Sequence, residues 1–400
     1  MRYYSLGWGM SNAPHAYTIV VGRDTGWMCL GIDYVAPWFA AEALKVFRDR
    51  QKPNGQILEY VDMESGAVDD YGLNLADNTP LYAWAVNQHW QHFAEEGFYT
   101  AFLPSMQRAG AYLLDAIGPD DLLTSIPNGT GMYGITSWRN IIDGAVIAGQ
   151  VTEINALAVL GLRQIAAFTG ESHFATAAER ITHAINAHLW EETHYLLCRS
   201  GEARNAQCTG DQVFPLLAGV APRERHLALL DRLWQADFRS ERGLRTVPTI
   251  DPAYSPTAHF GLVGGSWPNL TLWYAAVAAE YGPDRALAAL EMVGYPVITE
   301  QDAAMNIHPG EFPEWFHGES GENLGMHLSP WVAPTFIWAL LEGLLGLTWA
   351  HGTPHFAPHW PDGWDEVTIT RLPTGMGEVD VHLTPAACEI HPHAAPVMPV

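Results

Sequence analysis

The sequence predicts an all-α fold in which helices form two layers, followed by a short β segment. Apolar residues recur at helical spacing in about ten segments, whereas alternating, strand-like patterns are rare before residue 348. Some of these segments are apolar nearly all round, and others carry a polar face. Because a helix that is apolar on every side must be buried on every side, this alternation indicates inner helices surrounded by outer ones.

The predicted helices have recognisable beginnings. Residues 77–80 read Asp-Asn-Thr-Pro, and residues 282–284 read Gly-Pro-Asp; both place a proline or a capping residue before an apolar run. Segments 151–169 and 267–281 are the clearest candidates for inner helices. The full set of predicted helices is 34–48, 80–94, 101–117, 151–169, 174–190, 211–217, 222–235, 267–281, 284–292 and 331–347.

Long glycine-rich loops are predicted to precede the inner helices. Loops of this length usually carry function, and loops that emerge on one face of a ring form one cleft. The predicted loops are 22–33, 58–78, 128–150, 246–265 and 301–329.

The pattern changes near residue 348. Residues 366–370 and 378–383 alternate between apolar and polar side chains, which is typical of strands. We therefore predict a helical barrel over residues 1–347 and a short β appendage with a Pro/Ala-rich end over residues 348–400.

Composition narrows the possible partners. Acidic residues number 44 against 20 basic ones, which gives a net charge of -24. Such a surface repels phosphate backbones and anionic lipids, so neither nucleic acid nor a membrane is an expected partner. The four scattered cysteines predict reduced thiols in a cytoplasmic protein, although a Cys198–Cys208 disulfide is an open alternative. The N-terminus lacks the apolar run of a signal peptide, and the sequence does not indicate an oligomeric state.

Segment 313–326 is the most informative stretch of the chain. It combines three carboxylates, two aromatic residues, a histidine and three glycines, and an apolar helix follows it. Several tryptophans elsewhere also stand beside Gly, Pro, Asp or Asn, in loop contexts where a flat ring can stack on a sugar. A solvated acidic loop is the alternative; we favour a catalytic carboxylate in a carbohydrate site.

Four motifs resemble those of one group of enzymes: GRDTGW at 22–27, NLADNTPL at 74–81, TEINAL at 152–157 and GGSWP at 264–268. In their order and spacing the chain resembles the (α/α)6-barrel glycoside hydrolases. The nearest are the amylo-α-1,6-glucosidase domain of glycogen debranching and glycoside hydrolase family 63, which includes mannosylglycerate hydrolases. The resemblance implies an (α/α)6 toroid, or six-hairpin barrel, and a carbohydrate substrate.

One departure from these families concerns the catalytic acid. Debranching-type sequences place an aspartate shortly before the motif that here reads TEINAL, and alignment on Trp138 puts Asn140 at that place. An amide cannot protonate a leaving group. Asp143 lies one helical turn further and is the predicted acid, with a helix cap beside Gly144 as its alternative role and Glu153 as a rival.

Inverting hydrolysis needs a carboxyl group on each side of the scissile bond, about 6.5–9.5 Å apart. The predicted base is Glu314, because it lies on a glycine-rich loop and its segment resembles the place where such enzymes hold their base. Glu311 is the neighbour that could take this role. For Asp143, apolar neighbours favour the protonated form that an acid needs.

The predicted substrate-binding residues surround this pair. The resemblance implies that Asp24 holds hydroxyls of the terminal sugar, with Arg23 beside it. Asp77 either does the same or caps its helix, and Arg139 either pairs with an anionic group or orients Glu314. The full set of predicted binding residues is Arg23, Asp24, Trp27, Asp77, Trp138, Arg139, Glu153, Trp267, Trp315 and His317.

These residues predict an inverting, exo-acting α-glycosidase for a small oligosaccharide or a glycosylglycerate. No metal cluster or nucleotide motif has convincing spacing, so no cofactor is expected. The alternatives are a phosphorylase or an epimerase on the same fold, or a sugar-binding protein that has lost catalysis, which Asn140 suggests.

Overall fold

The computed structural model describes residues 1–11, 18–128, 136–140, 142, 147–299 and 303–393. Within these ranges the chain is mainly helical, as predicted. A 3-10 turn at Gly210–Gln212 leads into α7, and a π-helical segment at Ala339–Leu344 follows α11. The α-helices are α1 (Gly22–Ile32), α2 (Pro37–Arg48), α3 (Asn78–Phe93), α4 (Glu96–Asp115), α5 (Thr152–Thr169), α6 (Ser172–His188), α7 (Val213–Leu217), α8 (Arg223–Leu233), α9 (Pro268–Ala278), α10 (Pro283–Thr299) and α11 (Val332–Trp338).

The odd-numbered helices form a closed ring. Each packs against the next, from α1 through α3, α5, α7 and α9 to α11, and α11 packs back against α1. Even-numbered helices lie outside: α2 against α1, α6 against α5 and α10 against α9. The inner helix α5 is buried at every residue from Thr152 to Leu162, whereas the outer helix α6 buries one face. This is the arrangement expected of an (α/α)6 toroid.

The first inner helix corrects one prediction. Residues 22–33 are predicted to be a glycine-rich loop, but residues 22–32 form α1. A Cβ on Gly31 would lie 1.7 Å from the carbonyl oxygen of Pro334, and one on Gly26 would lie 2.8 Å from Leu81 Cβ. These glycines therefore allow inner helices to approach one another closely. In the sequence, glycines that serve this purpose cannot be told from glycines in a loop.

Short strands are more numerous than the predicted all-α class allows. They lie in small antiparallel sheets of two or three strands. The strands of the described residues are β1 (Arg2–Tyr4), β2 (Gly7–Gly9), β3 (Ile19–Val21), β4 (Tyr60–Asp62), β5 (Val68–Asp69), β6 (Gln150–Val151), β7 (Trp190–Glu191), β8 (His194–Tyr195), β9 (Cys198–Ser200), β10 (Ala203–Asn205), β11 (Arg239–Ser240), β12 (Gly243–Leu244), β13 (Leu347–Ala350), β14 (Thr353–Phe356), β15 (Val367–Thr374), β16 (Gly377–Thr384) and β17 (Ala387–Pro392).

The C-terminal sheet packs against the outside of the ring. Strands β15, β16 and β17 form an antiparallel sheet, and β15 and β16 confirm the two strands predicted there. Leu372, Val381 and Leu383 of this sheet belong to one apolar cluster with Tyr34 and Leu341 of the helical part.

Two further features bear on the predictions from composition. The four cysteines are free thiols in this structure, so the alternative Cys198–Cys208 disulfide is not formed. Within the described ranges, no helix combines the length and the apolar character needed to cross a bilayer.

Candidate active site

A cavity of about 440 Å³ lies at the N-terminal ends of inner helices. Arg23 and Asp24 reach it from the first turn of α1, and Trp267 and Trp331 reach it from the residues just before α9 and α11. Three carboxyl groups, one guanidinium group and three indole rings share its walls. The lining residues are Ile19, Val21, Arg23, Asp24, Glu59, Tyr71, Trp138, Asn140, Phe260, Leu262, Trp267, Glu314, Met326 and Trp331.

Glu314 lines one wall of the cavity. Its backbone N–H donates to the carbonyl of Met326 (2.9 Å), and Phe316 exchanges two hydrogen bonds of 2.9 Å with Ser266, at the beginning of α9. Burial and the neighbouring charge of Asp24 raise the pKa of Glu314 to about 8. The carboxylate form of Glu314 is therefore destabilised, which makes it a strong proton acceptor once it is ionised.

Glu59 lines the cavity as well, although it was not identified from the sequence. Pairing of β3 with β4 brings Glu59 beside the start of α1, where its carbonyl accepts a hydrogen bond from Gly22 N (2.7 Å). Its N–H donates to the carbonyl of Asp69 (2.9 Å). Both the N–H and the carbonyl of Glu59 are thus hydrogen-bonded, which fixes the backbone position from which its side chain extends.

The side chain of Glu59 accepts hydrogen bonds from two amides and lies near one cation. Asn78 Nδ2 donates to Oε2 (2.5 Å), Asn140 Nδ2 donates to Oε1 (3.1 Å), and Arg23 Nη1 lies 3.3 Å from Oε1. Burial raises the pKa of Glu59, while Arg23 acts in the opposite direction. Three donors therefore stabilise the carboxylate that remains after Glu59 gives up a proton.

Asn140, which occupies the place of the expected acid, thus faces a carboxyl group from another part of the chain. Asp143, the predicted acid, lies outside the described residues. One feature of the sequence could have led to Glu59. Asn140 stands where an acid is expected, so a carboxyl group from another segment has to supply the proton. No local motif marks Glu59 itself.

Arg23 and Asp77 form a buried ion pair behind the wall. Arg23 donates to both carboxylate oxygens of Asp77, from Nε (2.5 Å) and Nη2 (2.8 Å). Asp77 is 1% exposed and does not line the cavity, and its side chain makes no capping hydrogen bond to α3. Neither alternative predicted for Asp77 is therefore seen: it holds Arg23 in place. Asp24 lines the cavity.

The predicted tryptophans divide into two groups. Trp138 and Trp267 line the cavity with their ring centres 5.3 Å apart, and Trp331 is a third aromatic wall that was not identified from the sequence. Trp27 and Trp315, which were also predicted to stack on a sugar, do not line the cavity. Trp27 is a core residue, 1% exposed, with its ring centre 4.6 Å from that of Trp273, and Trp315 is buried without lining the cavity.

Arg139 and Glu153 stand behind the cavity wall. Arg139 is buried and donates to Asp211 Oδ2 (2.6 Å) and to the carbonyl of Leu262 (3.3 Å), so it is not available to an anionic ligand. Glu153, 1% exposed, accepts hydrogen bonds from Ser137 Oγ and Trp138 N, both at 2.7 Å. Both residues hold the segment that carries Trp138.

His317 also corrects a prediction. Its Nδ1 accepts hydrogen bonds from the N–H groups of Glu319 (3.1 Å) and Ser320 (3.2 Å), and the residue does not line the cavity. It orders a turn outside the lining of this cavity.

Comparison with known proteins agrees with the resemblance seen in the sequence. Residues 20–339 match the family model of the mannosylglycerate hydrolase MGH1-like glycoside hydrolase domain. A GH63 mannosylglycerate hydrolase from Thermus thermophilus, solved in complex with glucose, has a TM-score of 0.66 at 17% identity, covering 84% of this chain and 96% of that chain. No curated protein matches the chain in sequence.

Two larger proteins contain a similar fold. A GH78 family rhamnosidase of Bacillus sp. GL1 has a TM-score of 0.64 at 20% identity, covering 93% of this chain and 37% of that chain. A structure described as a sialidase has a TM-score of 0.72 at 12% identity, with coverages of 96% and 37%.

Proposed function

Because the chain belongs to the MGH1-like glycoside hydrolase family, we propose that this cavity hydrolyses a glycosidic bond with Glu59 and Glu314 as its carboxyl pair. One observation supports the proposal most strongly. Two carboxyl groups from distant segments line the same cavity together with Trp138 and Trp267, whose rings can stack on a sugar.

In this scheme Glu59 is the general acid and protonates the leaving oxygen, and Glu314 is the general base predicted from the sequence. An acid must be protonated before it acts, and burial raises the pKa of Glu59; Arg23 and two amides then stabilise the carboxylate that remains. A base must be ionised, and since burial and Asp24 raise the pKa of Glu314 to about 8, Glu314 accepts a proton above that pH. Glu314 would deprotonate a water that attacks the anomeric carbon, with inversion of configuration. Asp24 would hold hydroxyls of the terminal sugar.

The charges around the cavity favour a neutral substrate over a glycosylglycerate. Arg23 already faces Asp77 and Glu59, and it is the one basic residue among the described lining residues. Arg139, which was predicted to pair with an anionic group, is paired with Asp211. A glycerate carboxylate or an attacking phosphate would therefore find no uncommitted cation among these residues. We propose a small, neutral α-glycoside, cleaved from its end, since the cavity volume lies in the lower part of the range for small-molecule pockets, about 300–1,000 Å³.

The test is a screen of neutral α-disaccharides and glycosylglycerates, with proton NMR of the anomer first released. We expect hydrolysis of a neutral disaccharide with net inversion, and loss of that activity in Glu314→Gln. Release of the retained anomer would contradict the water-inverting scheme. Calorimetric binding of a disaccharide that is never cleaved would instead support a sugar-binding protein without catalysis.

A further inference from the structure

A second cluster of chemically reactive side chains lies in the segment that carries Glu314. His308, Glu311 and His327 each offer one ligand atom, and these atoms lie within 4.8 Å of one another. The imidazole ring centres of His308 and His327 are 5.2 Å apart. All three residues are half-buried, so a small ion can reach the cluster without unfolding of the segment. No metal was expected from the sequence, because no cluster of metal-ligating residues has convincing spacing there.

The carboxylate of Glu311 has an unusual environment. Its Oε2 atom is shielded from solvent and makes no hydrogen bond to any described residue, although it lies 2.6 Å from His327 Nδ1. Asn323 Nδ2 also lies 3.3 Å from the same imidazole nitrogen, within hydrogen-bond distance. A shielded carboxylate oxygen this close to a ring nitrogen calls for a proton or a cation between the two atoms.

The position of the cluster in the chain gives such a cation a structural role. Glu314 N donates to the carbonyl of Met326 (2.9 Å), and Ser329 N donates to the carbonyl of Phe312 (3.1 Å). These bonds join the two ends of the loop from Glu314 to Met326. Glu311 lies just before that loop and His327 just after it, so an ion bound by both would hold the two ends together.

We propose that His308, Glu311 and His327 bind one Zn²⁺ ion, which ties the two ends of the loop that begins at Glu314. Two imidazole nitrogens and a carboxylate oxygen suit Zn²⁺ better than Mg²⁺ or Ca²⁺, which prefer oxygen ligands. Ligand atoms around tetrahedral Zn²⁺ lie about 3.3 Å apart, so small side-chain rotations complete the site. The role of the ion in positioning Glu314 for catalysis rests on the proposed function; the binding of the ion does not.

The first experiment measures binding directly. Untagged full-length protein is stripped with EDTA, dialysed and titrated with ZnCl2 in a calorimeter. We expect one ion per chain, and at a hundredfold excess over Kd a rise in Tm of about 3 °C. Absence of both heat and Tm shift would overturn the proposal.

Variants locate the ion. His308→Ala and His327→Ala should each weaken Zn²⁺ binding at least tenfold, while circular dichroism shows that the fold is retained. His355→Ala is the matched control, because His355 is an exposed histidine on β14. Unchanged affinity in His308→Ala would place the ion elsewhere, for example at His391 and Glu389 of the C-terminal sheet, and would overturn the proposal.

Hydrogen exchange tests the role of the ion in the loop. The amides of Glu314 and Ser329, which bond across the ends of the loop, should exchange at least severalfold more slowly when Zn²⁺ is bound. Binding without added protection would contradict the proposed tie between the loop ends. None of these readouts uses catalytic activity, so the result is independent of whether the cavity hydrolyses glycosides.

Discussion

The two walls of the cavity that carry Glu59 and Glu314 differ in how far their surroundings stabilise a carboxylate. At Glu59, a guanidinium group and two amides surround the carboxylate, and backbone hydrogen bonds with Gly22 and Asp69 fix the residue. At Glu314, burial and the nearby Asp24 raise the pKa to about 8, and a loop holds the residue. Burial thus raises the pKa of both carboxyl groups, but Arg23 opposes the rise at Glu59 whereas Asp24 adds to it at Glu314.

The largest expected effect is on kcat, when substrates with different leaving groups are compared in variants of Glu59 and Glu314. Glu59→Gln should lower kcat about 10²- to 10⁴-fold on a disaccharide, because the leaving oxygen then lacks its proton donor. On a dinitrophenyl glycoside, whose leaving group needs no proton, the same variant should stay within about tenfold of wild type. Glu314→Gln should lose activity on both substrates. Steady-state kinetics on the two substrates separates the walls.

The substitution Asn140→Asp is the control for the assignment of Glu59 as the general acid. The resemblance places an acid there, so Asn140→Asp in the Glu59→Gln background should recover at least tenfold of the lost disaccharide activity. If Glu59→Gln retains near wild-type disaccharide activity, the acid is another group, and Asp143 would be the next to test.

The Glu59 wall, with Arg23 and Asp77 behind it, should also contribute more to the free energy of unfolding than the Glu314 wall. Arg23→Met would leave Asp77 and Glu59 buried without their cation, and we expect the free energy of unfolding to fall by about 3–5 kcal/mol. Urea unfolding monitored by fluorescence measures the change. Arg180→Met removes an exposed pairing with Asp121 and should have little effect, which makes it the matched control. Equal effects of the two substitutions would contradict a structural role for the Arg23 network.

The pH dependence of kcat/KM should report the protonation of Glu314 on the other wall. Below its pKa of about 8, Glu314 is protonated and cannot accept a proton from water. On a dinitrophenyl glycoside, kcat/KM should therefore rise about tenfold per pH unit and level off near pH 8. A rate that falls through the same pH range would reverse the roles of Glu59 and Glu314.

The smallest expected effect concerns the aromatic residues. Trp267→Phe removes part of a ring that lines the cavity, and KM should rise about 2- to 10-fold. Trp27→Phe should lower Tm without changing KM, because Trp27 packs in the core. A similar rise of KM in both variants would show that the change reflects general loosening and not loss of a sugar contact.

The helical ring could be predicted from the sequence because inner and outer helices carry different apolar patterns. Helix α5 is an example: its sequence is apolar nearly all round, and the structure buries it throughout its first three turns. Helix α1 was not predicted, because the glycines that let it pack closely against α11 and α3 have the same composition as a loop. Sequence patterns report burial better than they report how closely two backbones approach.

The candidate site was predictable where a local motif marks it. Glu314 and Asp24 stand in distinctive segments and line the cavity, whereas Glu59 follows an unremarkable run and enters the site through the pairing of β3 with β4. The buried residues Trp27, Arg139 and Glu153 were assigned to the ligand because their motifs adjoin the site. Adjacency in sequence does not say whether a side chain faces the cavity or stands behind its wall.

The contact between α1 and α11 has a consequence for biosynthesis. Arg23 and Asp24 leave the ribosome well before residue 338, yet α1 packs against a helix that ends at Trp338. The ring cannot close until that later segment has emerged, so the apolar flank of α1 lacks its final neighbour while the intervening helices are synthesised. A nascent chain arrested before α11 should therefore bind chaperones and resist protease poorly, and both properties should change abruptly once residue 338 clears the exit tunnel.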